Sequence, residues 1–211
     1  MLSTEAYDKF KARILSGELK PGQMISQREL AEVAGMSMGP ARDAVQRLAF
    51  ESLLRIHPNR GIQVAEVSYR MIRSAYQLRC VLEVAAIERF AQVAEDEEIQ
   101  MLIAETSRLI EDTKDGANEE SNIKAIEVDW KMHTAFIRSL DNELIDETYD
   151  ANHSRIMLIR LSNKNAKIRL TSALSEHLSI LEACKARDIE TAKQRLIEHI
   201  DLSKETAMAG L

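Results

Sequence analysis

Apolar positions recur every three to four residues along most of the chain, and near the N-terminus this rhythm is broken by proline and glycine. Residues 4–16 place Ala6, Phe10, Ile14 and Leu15 on one face, with Gly17 behind them as a stop, so a first helix is expected there. Pro21-Gly22 reads as a turn. Ser26 stands three residues before Glu29, the spacing of a capping box that starts a short helix to Ala34, and Gly35 can close it in the left-handed conformation. Ser37 is the expected N-cap of a further helix with Pro40 in its first turn, where a missing N–H costs little. In that helix Ala41, Ala44, Val45 and Leu48 point inward, while Met38, Arg42 and Gln46 share the outer face. After Leu53-Leu54, the segment RIHPNRGIQVAEV alternates on both sides of a Pro-Asn-Arg-Gly turn, which predicts a two-stranded wing with Arg60 at its tip.

From Tyr69 to Gly210 the pattern predicts six helices, at about 69–93, 96–113, 119–139, 143–162, 166–187 and 189–208. The hydrophilic stretch EDTKDGANEE separates the second from the third, and SNKNAK loosens the chain between the fourth and fifth. Apolar stripes on helices this long are buried most simply against one another, in an antiparallel bundle. The expected fold is therefore mainly α: an N-terminal winged helix-turn-helix over residues 1–68, then a C-terminal antiparallel all-α bundle of about six helices over 69–211.

A winged helix-turn-helix places its second helix in the major groove of duplex DNA, with wing and first-helix residues on phosphates. The residues so placed are Arg28, Ser37, Met38, Gly39, Arg42, Gln46, Arg60 and Gly61. Arg42 is the best base or phosphate contact, Arg28 an additional one, and Arg60 reaches a minor groove or the backbone. The net charge of −6 argues against a nucleic-acid partner until it is divided: residues 1–68 carry +1 and residues 69–211 carry −7. A small head needs only a local basic face. Two cysteines, Cys80 and Cys184, suit a reducing compartment. No apolar run approaches the ~18 residues of a membrane span and no signal pattern opens the chain, so a cytoplasmic location is expected.

The unusual feature of the body is polar residues on apolar stripes. Ile126, Asp129, Trp130, His133 and Ile137 share one face; His177 sits among leucines, His199 beside Leu196 and Ile200, and Arg79 and Glu83 on the stripe of Ile72, Ala75, Leu82 and Ala86. Such groups need partners when buried, which implies a polar cavity. Asp129, His133, His177 and His199 could hold a divalent metal, and Arg79 could pair bidentately with a carboxylate. Hydrogen-bonded core histidines and an internal Arg79–Glu83 ion pair are the structural alternatives.

The head resembles the winged-helix domain of the GntR superfamily. It keeps Pro21, Gly22, Leu30, Ala31, Ser37, Pro40, Arg42, Arg60, Gly61 and Val64, and departs at Met38 (usually arginine), Gly39 (threonine), Gln27 (glutamate) and Ser52 (glycine). The Met38 change removes a DNA contact worth roughly 1–3 kcal/mol if it was a bidentate base pair. The body resembles the FCD ligand-binding domain of the FadR-like branch, in R-x-x-L-E at Arg79 to Glu83, D-x-x-x-H at Asp129 to His133, Asn142, Glu176-His177, and Ala192 to His199. Six helices point to its VanR-like subgroup. The resemblance implies one divalent transition metal per chain, zinc ahead of nickel or manganese, on Asp129, His133, His177 and His199, and a small organic acid on Arg79. It implies a homodimeric regulator, of repressor type, released by that effector from a pseudo-palindromic operator. One alternative makes the metal itself the signal. A helical metalloenzyme is disfavoured, because paired E-x-x-H motifs are missing and Glu83 is the one clear second carboxylate. His153 shares its helix with Asn152 and Arg155, any of which could line the cavity, and neither it nor His57 receives a role.

Overall fold

The computed structural model describes residues 2–114, 116, 118–163 and 169–211. They divide into two compact units: the chain through Ile72 together with Ala151–Asn163, and Arg73–Asp150 together with the described residues from Arg169 to Gly210.

In the first unit, helix α1 (Leu2–Leu15) buries Ala6, Phe10 and Ile14. Helix α2 (Gln27–Ala34) has the expected capping box: Glu29 N–H donates to Ser26 Oγ at 3.1 Å, and Ser26 N–H donates to the Glu29 carboxylate at 2.7 Å. Gly35 ends it at φ +65°. Helix α3 (Met38–Phe50) buries Ala41, Ala44, Val45 and Leu48 as the periodicity required. Ser37 does stand at its N-cap with extended backbone, but its side chain makes no capping bond, so the expected cap is positional only.

A strand the sequence did not predict, β1 (Met24–Ile25), joins β2 (Leu54–His57) and β3 (Gly61–Val64) in an antiparallel sheet of order β1-β3-β2. Two residues between a turn and a cap are too few to show alternation. Ile25 pairs with Ile62 and Leu54 with Val64. Gly61 is required here by packing: at φ +107° a Cβ would stand 3.0 Å from the Ile25 carbonyl oxygen. The core of this unit gathers Phe10, Leu30, Leu48, Leu53 and Ile62, together with Leu158.

Ser52 follows α3 at φ +63°, where Leu53 N–H donates to Leu48 O at 2.9 Å. This is the left-handed C-terminal position that suits glycine, and serine there is strained. The exposed Ser52→Gly change is expected to stabilise the chain by about 0.5–1 kcal/mol, less than the full strain because glycine also loosens the unfolded chain. A urea midpoint that falls instead would show that the serine is not strained.

The body contains α4 (Tyr69–Val93), α5 (Asp96–Asp112), α6 (Glu119–Arg138), α7 (Glu143–Ser162), α8 (Leu170–Lys185) and α9 (Ile189–Ala209). These are the six expected helices. The predicted start of the fifth at residue 166, and residues 164–167 of the loosened segment, lie outside the described residues. Helix α8 packs on α5, α6 and α9, and α5 on α6. Asn118 and Ser121 form a capping box for α6, and Asp188 accepts from Thr191 N–H at the start of α9. Ala151–Asn163 of α7 group with the first unit, although the sequence runs them on within the body.

Candidate metal centre

Helix α6 buries Ala125, Asp129, Met132, His133 and Phe136, a stripe in which the acid and the imidazole stand one turn apart. Ile126, expected on this stripe, is exposed, and Ala125 takes its place. Helix α8 contributes His177 beside Leu174 and Leu181, and α9 contributes His199 beside Leu196 and Ile200. The four predicted ligands come together: one donor atom from each of Asp129, His133, His177 and His199 lies within 4.8 Å of the others. The three imidazoles are each 1% exposed and Asp129 8%.

Where these side chains meet, the imidazoles present Nε2 and Asp129 presents Oδ1. His177 Nε2 lies 3.2 Å from His199 Nε2 and 3.4 Å from Asp129 Oδ1, and His133 Nε2 lies 3.7 Å from the same oxygen. Donors of a tetrahedral zinc at about 2.0–2.1 Å stand about 3.4 Å apart, so these spacings fit such an ion. His133 Nε2 is buried and makes no hydrogen bond, a position costly for a polar atom unless something else satisfies it. Burial, reinforced by the neighbouring His177, His133 and Arg79, holds His199 well below the usual imidazole range, in the neutral form that a metal requires.

Glu83 stands behind His133. Its Oε1 accepts from Arg79 Nε at 2.7 Å and from the Tyr149 hydroxyl at 2.6 Å, and its Oε2 lies 2.7 Å from His133 Nδ1, too bent to count as a hydrogen bond. Burial alone would raise this carboxyl, but Arg79, His133 and Tyr149 together hold it down at about 2. Tyr149 is pushed well above its ordinary value by burial and by that carboxylate, and stacks on Trp130 at 5.4 Å. The Arg79–Glu83 ion pair therefore exists as such. Its hydrogen bond runs from Arg79 Nε.

Tyr149 was not singled out by sequence, because it lies 66 residues from its partner on another helix. Arg169 was missed too: it donates to Glu176 at 2.6 Å, and Glu176 in turn holds His199 Nδ1 at 2.7 Å. Asn152, His153 and Arg155 group with the first unit. His57 is half-buried and bonded to Gln63 at 3.0 Å.

The DNA-contact candidates divide by their engagement. Arg42 and Gln46 are exposed on α3, Arg60 is exposed at the wing turn, and none of these side chains has an ion-pair or hydrogen-bond partner among the described residues. Arg28 is exposed on α2 but paired with Glu32 at 2.9 Å. Ser37, Met38 and Gly39 are exposed at the start of α3, and Gly61 is half-buried under β1.

Comparison with known proteins gives two family matches, "Bacterial regulatory proteins, gntR family" over residues 2–64 and "FCD domain" over residues 74–202. The chain is 26% identical over 201 residues to the gluconate operon transcriptional repressor of Bacillus subtilis, covering 93% of this chain and 80% of that protein. Its fold matches E. coli McbR/YncC with a TM-score of 0.77 at 22% identity, covering 99% and 98% of the two chains. A Zn2+-bound FCD domain of TM0439 matches 69% of this chain, and 96% of its own, with a TM-score of 0.56 at 27% identity. No helix among the described residues is long and apolar enough to cross a membrane.

Proposed function

The chain belongs to the GntR family of bacterial regulatory proteins and carries an FCD domain, and from that premise we propose a homodimeric repressor whose hold on DNA is released by a small organic acid. The observation that carries the sensor half is the convergence of one carboxylate and three buried imidazoles. Asp129, His133, His177 and His199 would hold one divalent transition metal, with zinc favoured by the donor set and by the zinc-bound FCD relative. The metal supplies a Lewis-acid anchor for an anionic group. Arg79 offers the terminal nitrogens of its fork to a carboxylate, while its Nε stays with Glu83.

Two heads related by a two-fold axis suit two half-sites of a pseudo-palindrome. An effector that binds one head arrangement better than another shifts DNA affinity by its differential affinity, typically ~1–3 kcal/mol. In the head, unengaged Arg42 and Gln46 on α3 read the major groove, with Ser37, Met38 and Gly39 at its N-terminal end. Arg60 and Gly61 lie along the backbone or the minor groove. Arg28 serves as a phosphate contact weakened by its pairing with Glu32. The gluconate operon repressor supports the repressing sign.

The test of the head is fluorescence anisotropy at fixed salt, with a duplex selected by the full-length chain from a random library. Arg42→Ala is expected to weaken binding about 5–150-fold, equivalent to ~1–3 kcal/mol, with an unchanged far-UV circular dichroism spectrum. Equal affinity in the variant would remove α3 as the reading element.

A further inference from the structure

We infer that Glu83 and Glu176 are positioning residues of the metal centre, each fixing one histidine in the Nδ1–H tautomer so that its bare Nε2 faces Asp129 and His177. The inference rests on the metal-binding reading above and deepens it by two residues outside the four-ligand set.

The arrangement is similar on two sides of the centre, a hydrogen bond at Glu176 and a close but bent contact at Glu83. On one side His133 Nδ1 lies 2.7 Å from Glu83 Oε2, and Glu83 takes Arg79 Nε at 2.7 Å. On the other, His199 Nδ1 lies 2.7 Å from Glu176 Oε2, and the same oxygen takes Arg169 Nη2 at 2.6 Å. Each row runs imidazole, carboxylate, guanidinium. A carboxylate only accepts, so a neutral ring beside it keeps its proton on the near nitrogen and bares the far one. The far nitrogens are those that meet the remaining donors, His133 Nε2 at 3.7 Å from Asp129 Oδ1 and His199 Nε2 at 3.2 Å from His177 Nε2. The arginines stop the carboxylates from swinging away. Arg169 also donates to His199 O at 3.2 Å and to Ser203 Oγ at 3.1 Å, which ties this row to α9. Tyr149 donates to Glu83 Oε1 at 2.6 Å and does the equivalent on the other side. Negative charge behind each ring also raises the donor strength of its Nε2.

The two carboxylates differ in tolerance. Glu83 is wholly buried, whereas the Glu176 side chain is 23% exposed, so Glu176 is the safer one to change.

The experiment uses the full-length, metal-free chain labelled with nitrogen-15, in long-range proton–nitrogen correlation spectra at neutral pH. His133 and His199 are expected in the Nδ1–H form, and an Nε2–H form at either ring overturns its assigned positioning residue. Zinc affinity is then measured by competition with a chromophoric chelator. In Glu176→Gln the amide oxygen can still accept but the charge is gone, and a 10–100-fold loss of affinity at unchanged stoichiometry is expected. Unchanged affinity overturns the role of Glu176. Glu83→Gln is expected to behave alike, and where it does not fold, the tautomer of His133 in the unaltered chain decides. An unaltered chain that binds no zinc overturns the metal-binding reading itself, while zinc binding to rings of the wrong tautomer overturns the positioning role alone.

Discussion

Replacing Arg79 with methionine is expected to destabilise the chain by about 3–5 kcal/mol, the range for removing one partner of a buried ion pair. Arg79 is 3% exposed and Glu83 fully buried, so bulk water is poorly placed to take over the bond that Arg79 Nε makes at 2.7 Å. Tyr149 and His133 would remain beside Glu83, but neither replaces a full positive charge. The carboxyl would then have to take up a proton or carry its charge unmatched, and either outcome weakens the folded state. Urea unfolding followed by the sole tryptophan, Trp130, suits this test, because its ring stacks on Tyr149 within the same unit. Adding Glu83→Gln to Arg79→Met should recover part of the loss, since the orphaned charge goes with it. A single variant within 1 kcal/mol of the parent would mean that the pair is not what holds these helices.

The second large effect concerns the metal. Free zinc at about 1,000 times its dissociation constant is expected to add about 4 kcal/mol to the folded state. For a chain of this size each kcal/mol moves the Tm by about 2–4 °C, so zinc-loaded and chelator-treated protein should differ by about 8–16 °C in a calorimetric scan. His177→Ala should erase that difference, because its Nε2 lies against both Asp129 at 3.4 Å and His199 at 3.2 Å. A melting temperature indifferent to zinc in the unaltered chain would make the three imidazoles a hydrogen-bonded core.

What could be read from sequence was what has a local signature. The capping box at Ser26 and Glu29, the left-handed Gly35 and the buried stripe of α3 follow from spacings of three or four residues. The same holds for Asp129 and His133, one turn apart on α6, and for the inward positions of His177 and His199. Partnerships across the bundle leave no such mark. Tyr149 meets Glu83 from 66 residues away and Arg169 meets His199 from 30, and neither neighbour's local pattern announces the other. Strand β1 escaped because pairing with β3, not alternation, makes those two residues a strand. Gly61, read as a DNA contact, also answers to a constraint that periodicity cannot show, the close passage of the Ile25 carbonyl.

One carboxylate, Glu83, touches both the arginine offered to the organic acid and the imidazole offered to the metal. Whatever factor an anion on Arg79 imposes on metal affinity, the metal must impose on anion affinity in return, because linked binding is reciprocal. If Arg79 holds the organic acid and the imidazoles hold the metal, a chain built in this way would work as a coincidence detector wherever that factor exceeds one. Its answer to the organic acid would then be scaled by the supply of the metal, and starving a cell of that metal would mute the response without altering the residues that face DNA.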